Sequence, residues 1–283
     1  MTDDKKPAKS ELAFGDEKIH WDQDMSYGDY LKLTDILNAQ HPLTDEHDEM
    51  LFIIIHQASE LWMKLCLHEI SSATRDIKAN DLSPAFKKLS RVARIQGQLK
   101  QSWEVLATMT PFDYEKFRPA LGKSSGFQSF QYRGLEFSLG HKDEKFLELY
   151  KNAPENHKFL KTLLETPGLY DQALQLLARR GFDIPADRLD RDWRQDYAAS
   201  TGVEEAWLRV YKDVEKYWEL YELAEKLVDI EYHFQQWRFA HMKTVERIIG
   251  FKRGTGGSSG VHYLSKALSH SFFPELWSVR TRM

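Results

Sequence analysis

The stretch that decides the fold is VEEAWLRVYKDVEKYWELYELAEKLVDIEYHFQQWRFAHMKTVERII, Val203 to Ile249. It holds neither Gly nor Pro, the two residues that most readily break a helix. Within it Val203, Trp207, Val210, Val214, Tyr217, Tyr221, Ala224 and Val228 recur at alternating spacings of four and three, a heptad-like seam. An unbroken helix of that length approaches ~70 Å at 1.5 Å per residue. So long an element implies bundle packing or a subunit interface. It stops at Gly250, and the glycine-rich FKRGTGGSSG of Phe251–Gly260 follows.

The rest of the chain also reads as helix, with no alternating strand pattern anywhere. Tyr27 to Asn38 is a short amphipathic helix. A second starts after Pro42, with Thr44 as N-cap and Asp45 and Glu46 in the first turn, where the helix dipole favours acids. It runs through LFIIIHQASELWMKLCLHEI to about Asp76. A third runs from Ser83-Pro84 to about Met109, and Pro111 breaks the chain. A loop at Leu121–Gly126 precedes a helical stretch from Phe127 to Leu139. From Glu144 to Tyr197, Pro154, Pro167, Gly168, Gly181 and Pro185 divide the chain into shorter helices. The expected fold is all-α: one helical-bundle domain over residues 17–283, with long core helices and a small peripheral helical subdomain. Residues 1–16 are charged and polar with no apolar signal-like run, and are expected to be a disordered arm.

The composition, 42% hydrophobic and 29% charged over 283 residues, is that of a soluble globular protein. A net charge of -4 with no basic stripe argues against a nucleic-acid partner. No apolar run approaches a membrane span, and the single cysteine, Cys66, fits a reducing, cytoplasmic setting. One cysteine also excludes an intramolecular disulfide, a cysteine zinc site and an iron–sulfur cluster. C-x-x-C-H is absent, so any haem must be held non-covalently.

Chemistry is sought first among the 11 histidines. His20, His41, His47, His141 and His157 lie in polar settings and read as solvated. His241 shares a helical face with Phe234, Trp237, Val245 and Ile248. It is either a satisfied core histidine or a ligand, and haem suits one imidazole in an apolar pocket. His56 sits one turn after Phe52 and one before Glu60, which either orients it or joins it at a metal. A diiron bundle needs two Glu-x-x-His motifs, and only Glu17–His20 has that spacing. Arg118 precedes a Gly/Ser loop and is either a surface arginine or a bidentate clamp for a carboxylate. The loop Lys252–Gly260 is a connector, a lid or an anion cradle. It has neither the P-loop order nor the strand a dinucleotide fingerprint requires.

Taken together, His56-Gln-Ala-Ser-Glu-Leu-Trp62, Tyr27-Gly-Asp-Tyr-Leu31, Phe117-Arg-Pro with Ser124-Ser-Gly-Phe-Gln-Ser129, Trp237-Arg-Phe-Ala-His-Met242, Gly250–Gly260 and Phe272-Phe-Pro-Glu-Leu-Trp277 closely resemble the tryptophan 2,3-dioxygenase family. The resemblance covers about Ser26 to Arg280, in the family's order. It implies a haem-dependent dioxygenase that inserts O2 across the indole C2–C3 bond of L-tryptophan to give N-formyl-L-kynurenine, the first step of the kynurenine pathway. It implies one non-covalent haem b per subunit, with His241 as proximal iron ligand and Trp103 and Ser125 beside the cofactor. His56 would be catalytic on the distal side, and Phe52, Tyr114 and Ser125 would line the substrate pocket. Arg118 would clamp the substrate carboxylate, and Thr255 would contact its ammonium or carboxylate. Tyr27, Tyr30 and Leu31 would close the pocket from a neighbouring subunit of a homotetramer. Beside this stand a haem enzyme for another indole, a haem-binding sensor, and a helical scaffold.

Overall fold

The computed structural model describes residues 11–20 and 25–283, in two units, Met1–Leu43 and Thr44–Met283. In the first unit β1 (Glu11–Phe14) and β2 (Glu17–His20) pair antiparallel, Phe14 opposite Glu17. Sequence reading expected no strand, and four-residue strands are too short for alternation to show. The turn sets this hairpin: Gly15, at φ +62°, supplies the left-handed conformation that a two-residue loop demands. Of the expected disordered arm, residues 1–10 lie outside the described residues, while residues 11–16 belong to this hairpin. The single helix expected over Tyr27–Asn38 is two, α1 (Tyr27–Leu31) and α2 (Leu33–Leu37). Between them Lys32 is left-handed at φ 53°, with its N–H donating back to Asp29 O.

The second unit is all helical. Its elements are α3 (His47–Lys78), α4 (Leu82–Leu106), α5 (Pro111–Phe117), α6 (Phe130–Leu139), α7 (Pro154–Glu165), α8 (Leu169–Arg179) and α9 (Ala186–Leu189). Then follow α10 (Thr201–Lys212), α11 (Trp218–Ile249), α12 (Val261–Leu268) and α13 (Pro274–Ser278). The helix expected to follow Thr44 directly starts at His47: the Thr44 hydroxyl and N–H both donate to the Glu49 carboxylate (2.5 and 2.8 Å), and the hydroxyl oxygen accepts from Glu46 N at 3.3 Å.

α4 lies between α3 and α11, packed on both. Its buried row is Ala85, Leu89, Val92, Gln96, Leu99, Trp103 and Leu106, at spacings of four and three. α3 offers Ser59, Met63, Cys66, Ile70, Ala73 and Ile77, and α11 offers Leu220, Leu223, Leu227, Ile230, Phe234 and Trp237, in the same rhythm. Such rows bury a continuous side of each helix, worth roughly 1.5–3 kcal/mol per large apolar side chain. Burial pushes the Cys66 thiol up to about 12, so it is an inert core residue.

The expected continuous helix over Val203–Ile249 is corrected: α10 ends at Lys212 and α11 begins at Trp218. No Gly or Pro causes the break. The two halves bury against different partners, α10 against α13 and the last turn, α11 against α4. The 32 residues of α11 span about 48 Å. A second, smaller cluster is formed by Phe137, Leu147, Tyr150, Leu160 and Leu164, whereas α8, in the same Glu144–Tyr197 stretch expected to be peripheral, buries Leu169, Tyr170, Leu174 and Leu177 in the main core.

Two buried carboxylates tie down the C-terminal segment. Glu231 accepts from the N–H groups of Phe272 (2.8 Å) and Phe273 (2.9 Å) and the hydroxyl of Ser271 (2.6 Å). Glu275 accepts from Tyr197 Oη (2.6 Å), Ser200 N (2.8 Å) and Tyr170 Oη (2.9 Å). Burial without such donors would cost several kcal/mol per charge. One described helix, α3, is long and apolar enough by length and composition to cross a membrane, contrary to the sequence reading. Here its buried row packs on α4.

Candidate functional site

The two histidines singled out by spacing extend the buried rows of their helices. Along α3 the row Met63, Ser59 continues at spacings of three and four to His56 and Phe52. Along α11 it passes from Trp237 to His241, Thr244 and Ile248. With Trp103 and Leu106 of α4, these ends meet around one cavity of about 90 Å³. Its walls are Phe52, His56, Trp103, Leu106, Met109, Tyr114, His241, Thr244, Val245, Ile248 and Ile249. Among the described residues that line it, the two imidazoles and the Tyr114 phenol are the ionisable groups. A larger groove at the break between α10 and α11, about 340 Å³, is lined by Glu205, Arg209, Lys212, Asp213 and Lys216 among others. Its charged, open wall offers no imidazole and no enclosed apolar surface.

His56 Nδ1 lies 2.7 Å from Phe52 O. A carbonyl only accepts, so Nδ1 carries the proton and Nε2 is left with its lone pair. Burial lowers the His56 pKa, partly offset by the Phe52 carbonyl and by Glu60, so the ring is neutral near pH 7. The Phe52 ring is 4.1 Å away at 38°. Glu60, an expected partner of His56, instead accepts from Gln131 Nε2 at 2.8 Å. The carbonyl one turn back orients His56, and a backbone acceptor leaves no mark in sequence.

The His241 imidazole makes no hydrogen bond to any described residue. Burial, and then the nearby His56, lower its pKa to about 4. Trp103 stacks on it, centroids 4.5 Å apart at 15°. The indole N–H of Trp103 is buried without a partner.

A second cluster adjoins the cavity through α5. Pro111 starts this helix with the Thr110 side chain accepting from Asp113 N at 3.3 Å. Tyr114 lines the cavity, and Arg118, one turn on, is close enough to act on its phenol. Arg118 Nη2 donates to Arg253 O at 2.8 Å, and Nη1 to Glu115 Oε1 at 3.3 Å. Lys252 Nζ donates to the same Glu115 oxygen at 2.8 Å. The Thr255 hydroxyl donates to Ser124 O. A Cβ on Gly256 would lie 2.7 Å from Ser125 Cβ, so the two Gly/Ser loops pack backbone to side chain. The structure thus gathers Phe52, His56, Trp103, Tyr114 and His241 in one cavity, and Arg118, Ser125 and Thr255 in a neighbouring loop cluster. Tyr27, Tyr30 and Leu31 are on α1 of the other unit, with both tyrosines exposed. Leu106, Met109, Thr244 and Ile249 were missed, although following the four-and-three rhythm of α4 and α11 to their ends finds Leu106 and Thr244.

The donor set fits a non-covalent haem: an unpartnered neutral imidazole, an apolar wall and an orphaned buried indole N–H. The void is small against the roughly 300–1,000 Å³ of ordinary ligand pockets, so its wall must widen around one.

Sequence comparison gives one consistent result. The family described as Tryptophan 2,3-dioxygenase matches residues 15–283. A protein named tryptophan 2,3-dioxygenase from Bacillus thuringiensis is 56% identical over 277 residues, 97% of this chain and 99% of that one. Proteins of the same name from Cupriavidus necator and Erythrobacter litoralis are each 58% identical over 259 residues. Those matches cover 92% of this chain, and 88% and 98% of the respective relatives.

Proposed function

The chain belongs to the tryptophan 2,3-dioxygenase family, and from that premise we propose that it opens the indole ring of L-tryptophan with O2, giving N-formyl-L-kynurenine, on a haem held by His241. The observation that carries this reading is the pairing of His56 and His241, both neutral, across one apolar cavity. Bound haem would supply the ferrous iron that activates O2, both of whose atoms end in the product.

The chain's own residues hold, orient and exclude water. His241 offers the iron a nitrogen with no competing protein donor. His56, fixed by Phe52 O, presents Nε2 as acceptor for the indole N–H. Burial lowers its pKa, which keeps Nε2 unprotonated and free to accept that hydrogen bond. Phe52, Tyr114 and Trp103 supply flat apolar walls. Arg118 exchanges its present acceptors for the substrate carboxylate, a bidentate match, with Thr255 and Ser125 at the same amino-acid end.

The functional form is a cytoplasmic homotetramer in which Tyr27, Tyr30 and Leu31 close a neighbouring subunit's pocket. The exposure of both tyrosines supports this, as do the uncovered apolar residues Met50, Ile54 and Leu61 on α3 and Tyr232 and Phe239 on α11. The deciding experiment is an anaerobic spectrum of the reduced protein, then addition of O2 and L-tryptophan. A ferrous haem spectrum followed by the kynurenine chromophore is expected. No Soret band, or haem without oxygen consumption, would overturn the reading, and a panel of other indoles tests the substrate.

A further inference from the structure

A second cluster of ligating groups stands outside the haem cavity, with no part in the reaction described above. His141 follows the C-cap of α6, Asp196 sits in the loop between α9 and α10, and His270 in the connection from α12 to α13. One ligand atom from each of the three lies within 4.8 Å of the other two. His141 Nδ1 is 3.3 Å from Asp196 Oδ1, His270 Nδ1 is 4.0 Å from Oδ2, and the imidazole centroids are 3.8 Å apart. Sequence reading took His141 as solvated; the structure makes it half-buried and faces it with partners from two distant segments.

The backbone holds these segments together. The αL turn at Gly140, φ 119°, lets His141 N donate to Glu136 O at 2.9 Å. Tyr197 N donates to Gly140 O, and Lys142 N to Asp196 Oδ1. The residues after His270 are pinned by Glu231. The neighbouring Lys142 ammonium is turned away, onto the carbonyls of Leu164 and Thr166. Ligands of a tetrahedral ion at about 2.1 Å lie about 3.4 Å apart. The His141–Asp196 pair already has that spacing, and small ring rotations bring in His270.

We propose that His141, Asp196 and His270 form a binding site for a divalent transition-metal ion of the Zn2+ type, with solvent completing the coordination through the exposed Asp196 edge. Two imidazoles select such an ion over Mg2+ or Ca2+, which require oxygen ligands. The bound ion ties the end of α6 and the loop before α10 to the strap that leads into α13, and so stabilises the fold.

The test uses tag-free holoprotein, cleared of loose metal with a chelator and equilibrated with micromolar Zn2+, with zinc and iron counted separately. One zinc per chain is expected, undisplaced by excess Mg2+, with a raised melting temperature. His270→Ala and Asp196→Asn should each lose the zinc and the added melting temperature while keeping iron and the haem spectrum. Wild-type protein without zinc, or a His141→Ala/His270→Ala double variant that retains one per chain, overturns the site. If the His270 variant does not fold, Asp196→Asn, a change at an exposed side chain, decides the matter alone.

Discussion

The Trp103 indole lies flat on the His241 imidazole, their centroids 4.5 Å apart and their planes 15° apart. Trp103 comes from the buried row of α4 and His241 from that of α11, so helix packing itself sets the plane of the imidazole. Trp103→Leu keeps an apolar filler and removes the stack. Aromatic pairs of this kind are worth about 0.5–1.5 kcal/mol. Haem should therefore pass to a haem-free globin about 2–12-fold faster from the variant. An unchanged transfer rate would show that the stack does not hold the ring.

His241→Ala should give a folded protein without haem. The imidazole donates to no described residue, so its loss strands no partner and leaves a cavity of side-chain size. Far-UV circular dichroism should match the wild type, and the Soret band should vanish. Retention of the wild-type ferrous spectrum would mean another group holds the iron.

Acid should destabilise the haem-free protein in a window set by buried imidazoles. Burial drops the His241 pKa from 6.5 to about 4, and lowers that of His56 too. Between pH 6.5 and about 4 these imidazoles bind more protons in the unfolded chain than in the folded one, so the stability they contribute is full above 6.5 and falls as pH drops. Each imidazole contributes at most about 1.4 kcal/mol per pH unit. Urea midpoints from pH 7.5 to 4.5 should therefore slope less for His241→Gln than for the wild type. Parallel slopes would place the acid sensitivity elsewhere.

Periodicity made much of this legible, and the exceptions have physical causes. The rows of α3 and α11 place His56 and His241 by simple counting, because helix geometry repeats regardless of context. The break at 213–217 was not legible, because it depends on what each half packs against. Phe52 O as the partner of His56 was not legible either, since a backbone acceptor is independent of residue type. Nor was the meeting of His141, Asp196 and His270, which three separate loops bring together. Motifs that resemble the family split likewise: Arg118 and Thr255 lie at the loop cluster, whereas Arg238 is structural. Its guanidinium bonds Glu136 Oε1 at 2.6 Å, Ala267 O at 3.0 Å and Tyr132 Oη at 3.1 Å.

Contact between the two Gly/Ser loops is tight enough to be tested by one methyl group. Gly256→Ala puts a Cβ 2.7 Å from Ser125 Cβ, a backbone-anchored atom that cannot swing aside. Overpacking of this kind costs about 1–3 kcal/mol. Ser125→Gly removes the opposing Cβ, so the double variant should recover most of that loss. A double-mutant cycle in urea reads the coupling, and simple additivity would mean the loops do not press on one another.

Arg118 distinguishes a clamp from a structural arginine, because its present bonds serve both readings. Its guanidinium supports the glycine-rich loop through Arg253 O and pairs with Glu115. A structural role predicts that Arg118→Ala harms every substrate alike, by loosening the loop. A carboxylate clamp predicts a loss only where a carboxylate is present. Charge-assisted hydrogen bonds contribute about 1.5–3 kcal/mol, which corresponds to about 10–150-fold in kcat/KM for L-tryptophan. Tryptamine lacks the carboxylate and should change little. Arg118→Lys should recover only part of the loss, since an ammonium cannot reproduce the two-pronged geometry. Equal losses for both substrates would assign Arg118 to the loop alone.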